Sequence, residues 1–256
     1  MESKYNYEDR IIAFIDILGF SNIIKSTVKS QEKLNNLGSA LSYIHDYFEK
    51  VKQSCQDPTI LQLSQFSDSI VISISMKHSH EMLTIFKHLK TIQINLLFKD
   101  ILLRGGVVKG QLIHNKDLLL GPGMINAYDL ESKCALHPRI VIDPKVLWQF
   151  SRVDGIKQTK RLKDFDYEKT FAKETDGTAY IDYFNDIINY LENNQGIYDY
   201  FDKICTVVAK NVDSDDISIR VKYLWMREKI KSGEYFDKYE TEYKRIISNR
   251  NKKETK

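Results

Sequence analysis

The chain begins with an almost unbroken apolar run that contains a single acid. Residues 10–17 read RIIAFIDI, and this density of Ile and Phe is typical of a central strand that helices cover on both faces. The acid is Asp16, and Gly19 ends the run three residues later. An acid at the end of a buried strand needs a physical explanation.

Apolar periodicity predicts an alternation of helices and strands after this first strand. Residues 31–55 and 79–98 carry apolar side chains at steps of three and four, which predicts two amphipathic helices. Between them, ILQLSQFSDSIVISIS alternates apolar residues with serines and predicts a hairpin with its tip at residues 67–69. A second strand pair, LLRGGVVKGQLIHN and DLLLG, is joined at Asn115 and Lys116. The predicted order is βαββαββ.

The rest of the chain is less regular. Residues 123–136 predict a third helix, and the letters RIVID that follow predict another strand. Residues 153–178 are polar and predict an irregular segment, after which AYIDYF predicts a short strand or the start of a helix. Helical periodicity then dominates, and residues 214–231 and 235–247 predict a pair of helices.

These elements predict an α+β fold in two parts. We expect residues 1–150 to form a catalytic-type domain. Residues 151–256 are expected to form an irregular segment and a helical appendage.

Bulk composition narrows the classes of function. The chain has 256 residues, of which 42% are apolar, and this is enough for a sizeable core. A net charge of +3, from 38 basic and 35 acidic residues, gives no sign of a nucleic-acid partner. No apolar run approaches the roughly 18 residues of a membrane span, and no leader is visible, so we expect a cytoplasmic protein. The three cysteines lack the spacing of a disulfide framework or a zinc site.

Two carboxylates are the candidate chemistry. Asp16 ends a buried strand and Asp68 lies at a hairpin tip, so both acids converge if the two strand ends lie side by side. A divalent metal that also bridges substrate phosphates would balance their charge. Gly19 allows a sharp turn into a helix whose free N–H groups could receive a triphosphate. The alternative is that Asp16 caps a helix and Asp68 is an ordinary turn residue.

Four segments resemble the class III nucleotidyl cyclases. AFIDILGFS resembles their first metal-binding motif, and FSDSIVIS resembles the hairpin that carries their second metal-binding Asp. LRGGVVKGQ and GPGMINAYDLES resemble their RxGxxxG strand and the helix after it. The chain resembles more closely the Pycsar pyrimidine cyclases of bacterial antiphage defence, in the residues ILGF and FSDSIVIS, in the polar segment and in the helical end. The resemblance covers about residues 9–145 and implies a ferredoxin-like βαββαβ core, an antiparallel sheet with covering helices.

The resemblance also implies a set of site residues. Two ions of Mn²⁺ or Mg²⁺ would be held by Asp16, Asp68 and the backbone carbonyl of Ile17. Arg104 would contact phosphate or act in catalysis, unless it forms a structural ion pair, and Asn126 would donate a hydrogen bond to ribose or phosphate. The residues that would surround the nucleotide are Phe14, Leu18, Gly19, Phe20, Ser21 and Ser64.

The sequence departs from the family pattern at two places. Asp129 stands where most family members have a catalytic Arg, which the family supplies from the second subunit of a homodimer with shared active sites. Ser64 and Pro122 stand where purine cyclases read the base, and neither can play that part. Ser64 or Gln62 could bond a pyrimidine edge, or both could be ordinary polar surface residues. The choice between uracil and cytosine stays open.

The resemblance implies an enzyme that converts UTP or CTP to a 3′,5′-cyclic monophosphate and pyrophosphate. The product would be a second messenger in antiphage defence, read by a separate effector protein. Two alternatives stay open: a degenerate cyclase domain that senses nucleotide without chemistry, and a palm-type nucleotidyltransferase that shares the carboxylate pair. The second alternative would usually need a basic surface, which the charge balance does not indicate.

Overall fold

We describe the protein from a computed structural model. The structure describes residues 5–55, 57–77, 83–151, 167–192 and 195–251. These residues divide into two compact units. Unit 1 contains the described parts of Met1–Leu89 and Leu103–Ile181, and unit 2 contains the described parts of Lys90–Leu102 and Asp182–Lys256.

The elements alternate as the apolar pattern predicts. The strands are β1 (Glu8–Ile17), β2 (Leu61–Phe66), β3 (Ser69–Ser75), β4 (Leu103–His114), β5 (Leu119–Leu120), β6 (Ile140–Ile142), β7 (Phe171–Lys173) and β8 (Ala179–Ile181). The helices are α1 (Phe20–Thr27), α2 (Gln31–Ser54), α3 (Thr84–Leu97), α4 (Pro122–Cys134), α5 (Pro144–Ser151), α6 (Tyr167–Thr170), α7 (Ile197–Asn211), α8 (Ile217–Lys231) and α9 (Phe236–Asn251). A short 3₁₀ helix spans Ile188–Tyr190.

Unit 1 is built on an eight-stranded, mostly antiparallel sheet. Its strand order is β2-β3-β1-β4-β6-β8-β7, with β5 paired to β4 beside this path, and only β4 and β6 run parallel in the described sheet. Strand β1 lies between β3 and β4, and its residues Ile11 to Ile15 are all buried. Burial on both faces explains why this strand lacks a polar alternation. The predicted α+β class is confirmed.

Helix α4 packs closely on one face of the sheet. Ile12, Phe14, Val108 and Ala127 belong to one buried cluster at this contact. A Cβ atom built on Gly106 would lie 2.8 Å from the carbonyl oxygen of Ala127, so the missing side chain lets the helix approach the strand. This approach fixes the helix over the end of β1.

Unit 2 is a set of helices with aromatic contacts. The buried Tyr200 hydroxyl donates a hydrogen bond to the carbonyl oxygen of Tyr183, at 2.7 Å. Phe201 on α7 packs against Tyr239 on α9, with ring centroids 5.2 Å apart. The side chain of Asp216 caps the start of α8. Among the described helices, none combines the length and apolar character that a membrane crossing needs.

Two expectations about the later chain need comment. The irregular segment expected at residues 153–178 contains strand β7, which the sequence analysis missed because three residues are too few to show a period. The start of the second predicted helix and most of that polar segment lie outside the described residues. Strands β7 and β8 belong to unit 1, and a catalytic domain confined to residues 1–150 stays a prediction.

The close approach of α4 predicts that Gly106→Ala destabilises the protein by about 1–3 kcal/mol, because the new Cβ would force the helix away from β4. The matched control is Gly38→Ala on the exposed side of α2, where nothing lies within 4 Å of the added atom. That change should stabilise the protein by about 0.5–1 kcal/mol, because alanine favours the helix. Urea unfolding followed by circular dichroism measures both; a neutral Gly106→Ala would contradict the packing argument.

Candidate active site

Asp16 lies at the end of β1 where three strands meet. In the strand register it stands opposite Ser69 on β3 and Arg104 on β4. Asp68 lies in the tight turn between β2 and β3, where Ser67 adopts a left-handed conformation with φ 58°. The two carboxyl groups are close enough for Asp68 to raise the pKa of Asp16. The predicted convergence of the two strand ends therefore occurs.

Arg104 connects the acids of the sheet to an acid of helix α4. Its Nε and Nη2 atoms each lie 3.1 Å from Oδ2 of Asp16. Its Nε atom also lies 2.7 Å from Oε1 of Glu131, whose side chain is 3% exposed. The close packing of α4 on β4 brings Glu131 to this position. Two acids thus contact one guanidinium group, and Asp68 lies beside one of them.

Burial makes the ionised acids costly. Desolvation raises the pKa of Asp16, and the nearby Asp68 adds to this effect, while hydrogen bonding and charge from Arg104 oppose it. Burial also raises the pKa of Glu131, with Arg104 opposing and Asp16 adding to the rise. The single guanidinium therefore compensates the acids only in part.

This incomplete compensation fits a divalent metal at Asp16 and Asp68. Two neighbouring carboxylates in a partly dry place supply the oxygen ligands that Mg²⁺ and Mn²⁺ prefer. Within the described residues, no group of three or more His, Cys, Asp or Glu side chains is arranged to hold a metal. The remaining ligands would come from backbone, water and substrate oxygens, as is usual for Mg²⁺.

The turn after Asp16 has the features of an anion site. Gly19 has φ 74° and ψ 19°, a left-handed conformation that glycine adopts without strain. Helix α1 begins at Phe20, and the carbonyl oxygen of Gly19 accepts the amide hydrogens of Asn22 and Ile23. The first amides of the helix have no partner within it, and Gly19 has no side chain to cap them. Ser21 is exposed beside them.

The other predicted site residues lie apart from this cluster. Phe14 is buried and contacts Tyr128 edge to face, with centroids 5.5 Å apart. Asn126 is exposed on α4, and no hydrogen bond in the described part of the chain joins it to Asp16 or Arg104. Asp129 forms an ion pair of 2.8 Å with Lys133 on the helix surface.

The candidate base contacts on β2 have different surroundings. The hydroxyl of Ser64 lies 2.9 Å from Nε2 of His114. The amide nitrogen of Gln62 donates to the carbonyl oxygens of Pro58 and Thr59 at 3.3 and 3.1 Å. Gln62 is therefore engaged with the loop before its own strand.

Sequence reasoning missed two residues of this region, Glu131 and His114. Glu131 is one of several polar residues in the letters AYDLES, and only the helix packing shows that it faces the sheet. His114 ends strand β4. The two-residue alternation places it on the same face as Val108 and Leu112, and this pattern could have indicated that its side chain faces the site.

Comparisons with known proteins gave structural likeness only. No known family matches the sequence, and no curated protein matches it. The fold is similar to the monomeric guanylyl cyclase domain of the RhoGC fusion protein from Blastocladiella emersonii, at 15% identity and a TM-score of 0.44, over 68% of this chain and 94% of that chain. It is similar to the catalytic core of a rhodopsin-guanylyl cyclase with converted specificity, in complex with ATPαS, at 14% identity and a TM-score of 0.43, over 69% and 96%.

A third similar structure is the adenylyl cyclase CyaB from P. aeruginosa, at 14% identity and a TM-score of 0.41, over 58% of this chain and 83% of that chain. At these identities and TM-scores the likeness supports no conclusion beyond itself.

The raised pKa of Asp16 predicts that Asp16→Asn is more stable than the wild type at neutral pH without metal. A carboxyl whose pKa rises on folding contributes stability below its unfolded pKa and loses it as the pH rises through the folded value. The difference in stability between Asp16→Asn and the wild type should therefore shrink as the pH falls towards 3.8, the ordinary pKa of the group. Thermal unfolding between neutral and acid pH, with a chelator present, measures it.

The control for this measurement has the opposite sign. Hydrogen bonds from Ser218 and Ile219 lower the pKa of Asp216 at the start of α8. Asp216→Asn should therefore lose stability at neutral pH and approach the wild type in acid. Loss of stability at neutral pH in both variants would contradict the account of Asp16.

Proposed function

We propose that the protein is a nucleotidyl cyclase that acts on a pyrimidine nucleoside triphosphate. The observation that carries the proposal is that Asp16 pairs with Arg104 and lies beside Asp68, directly before the open amides of helix α1. Paired acids, a cation and an anion-binding helix start are the groups that phosphoryl transfer needs.

In this proposal each group has one task. Asp16, Asp68 and the carbonyl of Ile17 would hold two ions of Mn²⁺ or Mg²⁺, and the turn from Leu18 to Ser21 would receive the β- and γ-phosphates. The ions would lower the pKa of the ribose 3′-hydroxyl and neutralise charge on the leaving pyrophosphate. Arg104 would keep its charge contact with Glu131 and turn Nη donors to a phosphate oxygen.

The chemistry balances without a further reactant. The 3′-oxygen forms a bond to the α-phosphorus, and the bond from that phosphorus to the bridging oxygen breaks. The hydroxyl proton leaves to solvent, and pyrophosphate departs. The product is a 3′,5′-cyclic monophosphate.

The proposed preference for a pyrimidine rests on the resemblance, which places Ser64 and Pro122 where purine cyclases read the base. Ser64 is short and Pro122, the first residue of α4, offers no side-chain donor or acceptor. Neither can act as the Lys and acid that read a purine. By resemblance of its motifs to the Pycsar cyclases, we propose that the cyclic product signals phage infection to a separate effector protein.

A homodimer would complete the site. Four large apolar side chains are exposed near the site face, which is the face of the sheet that carries Asp16. Asn126 is exposed on the same helix as two of them. They are Phe66, Leu120, Ile125 and Tyr128. Apolar surface of this kind favours a protein partner. A second copy would cover it and bring Asn126 towards the partner's phosphates.

The reaction is tested by incubating the purified protein with each ribonucleoside triphosphate and Mn²⁺ and identifying products by mass. We expect a cyclic pyrimidine monophosphate and pyrophosphate in equal amounts. Asp16→Ala and Asp68→Ala should each lower turnover by about 10³-fold or more, because each removes an oxygen ligand of the metal. Cyclic product from either variant at the wild-type rate would contradict the proposed site.

Thermal unfolding separates metal binding from catalysis in the same samples. Mn²⁺ at a hundred times its dissociation constant should stabilise the wild type by about 2.7 kcal/mol and leave Asp16→Ala unchanged. Stabilisation by metal and nucleotide without any product would favour a degenerate sensor. A linear or cyclic oligonucleotide product would favour a palm-type nucleotidyltransferase.

Shared active sites predict complementation between two inactive variants. Asp16→Ala and Asn126→Ala should each be inactive alone, because in a homodimer of either variant both active sites lack one required residue. In a mixed dimer with shared sites, one site carries both defects and the other carries none, so an equal mixture should recover about a quarter of wild-type turnover. The control is an equal mixture of Asp16→Ala and Asp68→Ala. One subunit supplies both of these residues to a given site, so every site in the mixture keeps one defect and turnover should not recover. Equal recovery, or none, in both mixtures would contradict a shared site.

A further inference from the structure

Four polar side chains form a continuous hydrogen-bonded chain on the site face of unit 1. This polar relay consists of Arg10, Ser73, His114 and Ser64. Nε of Arg10 donates to the Ser73 hydroxyl at 2.8 Å, and that hydroxyl lies 2.8 Å from Nδ1 of His114. Nε2 of His114 lies 2.9 Å from the Ser64 hydroxyl. Arg10, Ser73 and His114 are almost completely buried, whereas Ser64 is half-buried.

Arg10 fixes the direction of the first hydrogen bond. A guanidinium group only donates, and other partners hold this one in place. Its Nη2 atom donates to the carbonyl oxygens of Ile60 and Ser73 at 2.6 and 3.2 Å, and its Nη1 atom pairs with Glu8. The Ser73 oxygen is therefore an acceptor towards Arg10.

Burial and nearby cations fix the charge of His114. Desolvation, with smaller contributions from Arg10 and Lys52, lowers the pKa of His114 to about 4. The ring is therefore neutral at pH 7 and carries one hydrogen, on Nδ1 or on Nε2.

The count of hydrogens decides between these two tautomers. If Nδ1 carried the hydrogen, Ser73 would accept twice, and its own buried O–H would find no acceptor among the residues that the structure describes. An unsatisfied buried hydroxyl is costly. If Ser73 donates to Nδ1 instead, Nε2–H donates to Ser64, and both the Ser73 hydroxyl hydrogen and the ring N–H of His114 have partners. The relay assigns the hydrogen to Nε2.

This tautomer determines what Ser64 can offer to a ligand. The Ser64 oxygen accepts from Nε2–H, so its own hydrogen is free for an outside acceptor. Ser64 shares a face with Asp16, through the register of Phe66 and Ser69. Ser64 lies two residues before Phe66 on β2, and two strand spacings separate β2 from β1. Its backbone is therefore about 12 Å from that of Asp16, a distance that a nucleotide spans between its phosphates and its base.

We propose that Ser64 donates a hydrogen bond to a carbonyl oxygen of the pyrimidine base, that His114 is the positioning residue for this donor, and that the substrate is UTP. The inference depends on the function proposed above. Uracil presents an acceptor at both exocyclic positions, whereas cytosine presents a donor amine at one of them. At that position a uracil carbonyl accepts the Ser64 hydrogen, whereas the cytosine amine would leave this hydrogen without an acceptor, so the contact favours uracil.

Kinetics of the full-length protein with UTP and CTP test the contact. The wild type should favour UTP by about tenfold or more in kcat/KM. Ser64→Ala should lower kcat/KM for UTP by about tenfold, mainly through KM, and change the value for CTP by less than about twofold. Ser248→Ala makes the same chemical change on the exposed surface of α9 and should alter neither value. An unchanged ratio in Ser64→Ala, or a wild type that favours CTP, overturns the inference.

Binding distinguishes failure of the contact from failure of the proposed reaction. If the wild type forms no cyclic product, the proposed cyclase function fails, and calorimetry with the α,β-imido analogues of UTP and CTP plus Mn²⁺ decides the base contact. A preference for the UTP analogue that Ser64→Ala abolishes supports the contact. Equal binding, or no binding, of the two analogues overturns it.

The tautomer is tested without any activity. In full-length protein labelled with ¹⁵N-histidine, the ring-nitrogen chemical shifts of His114, assigned by comparison with His114→Gln, distinguish a protonated from an unprotonated nitrogen. We expect Nε2 to carry the hydrogen, and a hydrogen on Nδ1 overturns the relay. Ser73→Ala removes the donor to Nδ1 and should mix the two tautomers. It should also reduce the UTP preference although Ser64 is intact, a result that a purely structural role of His114 would not produce.

Discussion

The interaction on which the site depends is the ion pair between Arg104 and Asp16 at the end of the central strand. Strand pairing on both sides fixes the backbone of Asp16 at this point, and its side chain is only 17% exposed. Arg104 compensates part of its charge, and Glu131 holds the guanidinium from the helix side. The cluster is stable enough to persist and still has an excess of negative charge. A cation is the natural ligand of such an arrangement.

The packing of α4 links this cluster to the fold. Gly106 lies two residues after Arg104 on β4, and its missing side chain lets the helix carrying Glu131 approach the sheet. The same helix exposes Asn126 on its outer side. One close helix contact thus positions an acid inside the subunit and a polar side chain on its surface. In the proposed function, a single subunit can therefore contain the metal ligands and still need a second copy to complete the site.

A second polar system lies on the same sheet face with a different physical character. The acid cluster has more acids than cations and is partly exposed, whereas the relay from Arg10 to Ser64 is neutral beyond Arg10 and is almost completely buried except at Ser64. Unequal charge favours binding of an ion, and a paired relay favours a fixed direction of hydrogen bonding. The two systems lie at a separation that suits the two ends of a nucleotide.

The sequence by itself determined the elements and the two acids. Strand and helix periods predicted β1, the β2–β3 hairpin and α2 closely, because each contains enough residues to show a period. Asp16 and Asp68 were visible because an acid inside an apolar strand and an acid at a hairpin tip stand out from their neighbours. The tertiary structure decided which distant residues contact one another. It brought Glu131 and His114 to Arg104 and Ser64, from 27 and 50 residues away along the chain. Contacts across that distance depend on how strands pair and helices pack, and a single short segment carries no record of either.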